Sequence, residues 1–206
     1  SYPLMYCLVK GKNQAIYERL LRLVERIALE RGTRVFIRPV RLMVDFELAF
    51  INAAGQYMAG RNVTCCFFHF VSNIKKHARP VIDKMKKTAG QDAFETKKGE
   101  QTKRALMMLP LLPVNLITVE VVDLIILRWK NEVGHQRSDF DELGRYLARN
   151  YVGPNATFKK ETWSVCGQST RTNNAAESSH AALNRSVRVC GEVSLDMFLF
   201  AMESQM

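Results

Sequence analysis

Val40-Arg41-Leu42-Met43-Val44-Asp45-Phe46-Glu47 and, fifteen residues further on, Asn62-Val63-Thr64-Cys65-Cys66-Phe67-Phe68-His69 are the stretch on which the fold turns. The first begins as a β-branched and aliphatic run and becomes acidic at Asp45. The second, Asn62 to Phe68, is nearly all apolar and reads as a buried strand. Between them Phe46, Ala49, Phe50, Ala53 and Tyr57 recur at helical spacing, and Gly60 stops the pattern. His69 then opens a long basic helical stretch.

Working outward, Pro3 to Val9 is a continuous apolar run and predicts another buried strand. From Asn13 to Arg31, apolar Ile16, Leu20, Leu23, Val24, Ile27 and Ala28 mark one helix face, with Glu18, Arg22, Glu25 and Arg26 opposite. Gly32 is placed to end it. The run Val35 to Val44 is split by Pro39. Strand, helix, strand, helix, strand, helix argues an α/β fold with an at least partly parallel sheet. After Gly99 the pattern changes: Ala105 to Trp129, broken by Pro110 and Pro113, and Phe140 to Tyr151 read as helices. A last helix is expected over Leu195 to Met202. The division is therefore 1–99 for an α/β part, 100–160 for a helical insertion, and 161–206 for C-terminal helices that return to the core.

Composition bounds the partners. The 206 residues carry a formal charge of +10, with 47% hydrophobic and 24% charged residues, which argues a folded domain. Between Ser72 and Arg104 stand ten Lys/Arg and only four acids. Such a run fits a polyanion such as DNA, or simply a solvated helix face. Its lysines Lys75, Lys76, Lys84, Lys86, Lys87, Lys97 and Lys98 are the candidate DNA contacts, to phosphate rather than to bases. The five cysteines have no disulfide-framework spacing, which favours a reducing compartment. The longest apolar stretch is interrupted by prolines and acids, so no membrane partner is expected. Ser1 opens straight onto an apolar run, so the sequence reads as an excerpt without a signal peptide.

Two acids stand where chemistry gathers in α/β folds. Asp45 falls at a strand end, where the chain turns into a helix; the position suits a metal-binding carboxylate or a helix N-cap. Glu177 lies in Arg171-Thr172-Asn173-Asn174-Ala175-Ala176-Glu177-Ser178-Ser179-His180, ahead of apolar Leu183 and Val187. Asn174 with Glu177 three residues on fits a reciprocal capping pair as well as a carboxylate held on a first helical turn.

Asp45 before a helix, Cys66-x-x-His69 at the next strand-to-helix junction, then Trp163 and the Arg171 to His180 motif after a helical insertion resemble the catalytic domain of Mutator-like element transposases. The resemblance implies a ribonuclease-H-like mixed sheet flanked by helices. It assigns Asp45 and Glu177 as the second Asp and the Glu of a DDE triad. It also implies DNA cleavage and strand transfer at terminal inverted repeats, a nuclear location, and two Mg²⁺ or Mn²⁺ ions. Mg²⁺ prefers hard carboxylate oxygens, and two ions serve an in-line phosphodiester displacement. Cys66, His69, Arg171, Thr172, Asn173, Asn174 and His180 would support the site; zinc is not expected, because four ligands at structural-site spacing are not evident. Ser178-Ser179 replaces the Gly-aromatic pair common after the Glu, and Ser164 stands where Asn is common after the Trp. The family's first Asp falls upstream of Ser1, so these residues by themselves should be inactive and marginally folded. The alternative is a domesticated transposase kept as a DNA-binding or regulatory module. Several copies acting together would fit either reading.

Overall fold

The computed structural model describes residues 9–32, 41–57, 62–133 and 139–172, together with Cys7 and Ser178. Helices dominate these residues and surround a small parallel sheet. Of the expected strand over Pro3 to Val9 only Cys7 and Val9 are described, neither of them in a strand, and the Pro39 break, the Gly60 stop and the helix over Leu195 to Met202 lie outside the described residues.

Helix α1 (Gln14–Glu30) starts where Asn13 accepts a hydrogen bond from the Ile16 N–H at 3.0 Å and ends before Gly32, at φ 67°. Its buried stripe is Tyr17, Leu21, Val24 and Ala28, whereas Leu23, expected inside, is exposed. The face is rotated because Tyr17 is drawn inward. Its ring packs on Phe50, with centroids 4.9 Å apart, and its hydroxyl donates to Glu47 Oε1 at 2.6 Å. A hydrogen bond thirty positions away is invisible to periodicity.

Strands β1 (Arg41–Val44) and β2 (Asn62–Cys65) pair in parallel, with Arg41 opposite Asn62 and Val44 opposite Cys65. Helix α2 (Leu48–Tyr57) connects them and buries Ile51, Ala53 and Ala54. The second strand is shorter than the run Asn62 to Phe68 suggests, for Phe67 and Phe68 already belong to helix α3 (Phe67–Ala89). Apolarity alone does not separate a buried strand from a buried helix start. Burial of Phe70, Val71 and Ile74 at helical spacing decides it, and Phe68 is turned to solvent.

Helix α4 (Phe94–Met107) packs along α3, and residue 99 lies inside it. Pro110 and Pro113 break the chain as expected, into two short 3₁₀ turns at Leu109–Leu111 and Val114–Leu116. Helices α5 (Val119–Val133) and α6 (Asp139–Leu147) follow. A π-helical turn, Ala148–Val152, continues α6, and the short helix α7 (Lys160–Trp163) ends the helical part.

Sheet and helices share one core. At its centre Phe70 stacks on Trp163 (5.0 Å, 12°), while Phe46 meets Tyr151 and Phe158 edge-on at 5.5 and 5.1 Å. Each such pair adds about 0.5–1.5 kcal/mol beyond burial. Phe46 follows Asp45 directly, so this cluster fixes the strand end from beneath.

Candidate functional site

Because Val44 lies opposite Cys65, Asp45 and Cys66 leave the sheet side by side at its carboxyl edge. The Cys66 N–H donates to the Val44 carbonyl at 2.8 Å and carries the ladder one residue further. Cys66 is fully buried at the N-cap position of α3. Three residues on, one helical turn brings His69 over the strand ends, where its Nδ1 stands 3.1 Å from Asp45 Oδ1. The Asp45 side chain is 52% exposed and that of His69 32%. Asp45 precedes the first residue of α2 by three positions, so it is not that helix's N-cap. Behind the pair, burial pushes the Cys65 thiol up to about 12.

The chain returns to this corner from the helical part. Trp163 is buried, the Ser164 hydroxyl donates to the Leu112 carbonyl at 3.1 Å, and the Val165 N–H donates to the Pro110 carbonyl at 2.7 Å. Further on, the Thr170 carbonyl accepts from Arg41 Nη2 at 2.7 Å and the Arg171 carbonyl accepts from the Phe67 N–H at 2.9 Å. The Arg171 guanidinium folds back on its own loop, donating to the Gln168 carbonyl at 3.1 Å. The fold thus brings Asp45, Cys66, His69 and the Arg171 backbone together, with Thr172 half-buried next in line. Asn173, Asn174, Glu177 and His180 lie outside the described residues. Arg41, which holds the returning chain, was not singled out from sequence. Its partner is 129 positions away, and no local signal announces it.

The donor set at this corner suits a hard cation. Asp45 is a partly solvated carboxylate on a strand end, with the His69 imidazole placed to orient it. Among the described residues no three His, Cys, Asp or Glu side chains converge as ligands, so any such site needs a donor from beyond them.

The basic stretch divides. Lys98 pairs with Glu132 at 2.7 Å, Lys86 with Glu100 at 3.7 Å and Lys97 with Asp92 at 3.9 Å. A hydrogen bond from Lys103 is the main cause holding the Glu100 carboxyl below its usual value. Lys86 thus ties α3 to α4 and Lys98 ties α4 to α5, whereas Lys97 and Lys103 pair with acids of α4 and the turn before it. Lys75, Lys76, Lys84 and Lys87 are exposed along α3. No helix among the described residues is long and apolar enough to cross a membrane.

No protein-family model, curated protein or solved structure matches this chain.

Proposed function

We propose that this chain is the catalytic core of a metal-dependent DNA transposase of the Mutator-like type, which breaks and rejoins phosphodiesters on a ribonuclease-H-like sheet. The observation that carries the reading is the corner itself. Asp45 leaves the carboxyl edge of a parallel pair facing His69, and the segment leading to Glu177 is hydrogen-bonded onto the first turn of α3 beside it. That is where parallel sheets collect functional groups.

In this reading Asp45 and Glu177 hold Mg²⁺ or Mn²⁺, whose bound ions activate the attacking hydroxyl and stabilise the leaving oxygen. His69 Nδ1 stands 3.1 Å from Asp45 Oδ1. From there it fixes the orientation of the carboxylate that would bind the metal. Buried Cys66 holds the turn from which His69 projects, and Arg41 clamps the returning chain. Exposed Lys75, Lys76, Lys84 and Lys87 take DNA phosphates. Residues 1–99 and 161–206 form the core around a helical insertion at 100–160, and the protein works in the nucleus.

The test uses the full-length protein, Mg²⁺ and linear DNA bearing the element's inverted repeats. Asp45→Asn should lower cleavage by about 100-fold or more with an unchanged melting temperature. Its charge matters to the metal, and its removal creates no cavity. Undiminished cleavage by that variant would sink the proposal. DNA binding without cleavage by the wild type, in Mg²⁺ and in Mn²⁺, would instead establish the domesticated, non-catalytic alternative.

A further inference from the structure

Along α6 and the π turn lies an open groove of about 470 Å³, lined by Glu142, Arg145, Tyr146, Arg149, Asn150 and Thr157. Arg145 and Arg149 are four positions apart, and both are exposed. Neither makes an ion pair or side-chain hydrogen bond among the described residues. Several other cations on these helices do: Arg128 with Glu132, Lys130 with Asp141, Lys98 with Glu132. Two guanidiniums left unpaired on one groove, against a single acid, Glu142, mark a surface shaped for an anion.

The groove is also rigidly built. Arg149 sits in the π turn, a deviation often found at functional positions. Three of the turn's carbonyls are engaged beyond it: Ala148 accepts from the Gly153 N–H at 2.9 Å, Arg149 from the Thr157 N–H at 3.2 Å and Asn150 from the Phe158 N–H at 2.9 Å. Gly153 is required there, because a Cβ would stand 2.5 Å from the Ala148 carbonyl oxygen. Tyr146, another lining residue, stacks on His77 of α3 with centroids 3.6 Å apart and planes at 17°. His77 follows exposed Lys76 by one position, about 100° round α3, so the groove lies beside the part of α3 that carries that lysine.

We infer that this groove is a second DNA-backbone site, in which Arg145 and Arg149 bind phosphates of the duplex whose neighbouring phosphates meet Lys76. The inference rests on the DNA-transposase reading and adds to it a contact supplied by the helical insertion. A guanidinium presents a planar fork of donors to phosphate oxygens, and the Thr157 hydroxyl and Asn150 amide line the same groove with neutral polar groups. The sequence run that draws attention to charge, Ser72 to Arg104, contains neither arginine.

Fluorescence anisotropy with a mixed-sequence duplex, across a salt series, tests it on the full-length protein. Arg145→Gln/Arg149→Gln should bind roughly tenfold more weakly at moderate salt, for every sequence alike. The slope of log affinity against log salt should become shallower by about 0.9 for each arginine. Arg145→Lys/Arg149→Lys keeps both charges and should restore most of that slope. A loss that the lysine variant does not restore would mean altered shape and overturn the phosphate role. If Lys75→Gln/Lys76→Gln weakens binding but the glutamine double variant does not, the inference fails while the proposed function stands. If the wild type does not bind duplex DNA at all, both fall.

Discussion

At the scale of single residues, burial and one hydrogen bond decide chemistry that side-chain identity leaves open. Cys65 and Cys66 are fully buried, and burial raises the Cys65 thiol to about 12, while Cys7 and Cys166 are exposed. The thiolate is the reactive form. Iodoacetamide at pH 8 should therefore modify Cys166 and Cys7 in the native protein and reach Cys65 and Cys66 only after denaturation, as read by peptide mass spectrometry. Early alkylation of the buried pair would mean that the Asp45 corner opens. Tyr17 offers a second check. Its hydroxyl is raised to about 12, first by burial and then by its hydrogen bond to Glu47. The unfolded chain loses this proton near the usual value of about 10. Between these values the folded state holds the proton and the unfolded state does not, so raising the pH favours unfolding. This contribution is complete below pH 10 and lost by about pH 12. In Tyr17→Phe the melting temperature should fall less steeply over that window than in the wild type; equal slopes would remove Tyr17 from the account.

Elements are set by how periodicity and capping compete with long-range contacts. The start and end of α1 were readable from Asn13 and Gly32, because caps act locally. Its buried face was not, because Tyr17 answers to Glu47 on another element. The β2–α3 junction shows the same limit: Cys65-Cys66-Phe67-Phe68 is uniformly apolar, and only packing of Phe70 against Trp163 says where strand becomes helix. The π turn after α6 has no sequence signature at all. Gly153→Ala should disturb it, since the new Cβ meets backbone that cannot swing aside. The expected cost is about 1–3 kcal/mol, which at roughly 2–4 °C per kcal/mol for a chain of this size is a drop of several degrees in Tm. A calorimetric scan that matches the wild type would show that the turn relaxes freely. The charged helices separate into two roles as well. Lys98→Ala removes a partner of Glu132 and should chiefly lower stability, whereas Lys75→Gln/Lys76→Gln should leave Tm alone and weaken DNA binding.

For the whole molecule, the aromatic cluster makes sheet and helical insertion one cooperative body. Trp163 stacks on Phe70 and meets Tyr151 edge-on at 5.8 Å, and it lies at the head of the segment that returns to Asp45. Trp163→Ala should cost about 3–5 kcal/mol and lower protection from hydrogen exchange in α3, α6 and the Thr170–Arg171 segment together. Loss confined to the insertion would show two independently stable parts.

Within the described residues the sequence by itself determined the succession of helices and strands, the parallel strand–helix–strand unit, the position of Asp45 at a strand end and of Cys66-x-x-His69 about the next strand-to-helix junction, and the concentration of positive charge on α3 and α4. These follow from period, caps and breakers, which act over a few residues. Tertiary structure alone decided that His69 faces Asp45, that Arg41 and the N-terminus of α3 hold the chain arriving from Trp163, that Lys86, Lys97 and Lys98 face acids of their own chain, and that two arginines outside the basic run make no ion pair among the described residues and share one groove. Each is a contact between residues far apart in sequence or a burial set by a neighbouring element. A side chain's partner in such a contact is fixed by where the folded core places it, and no local pattern carries that position.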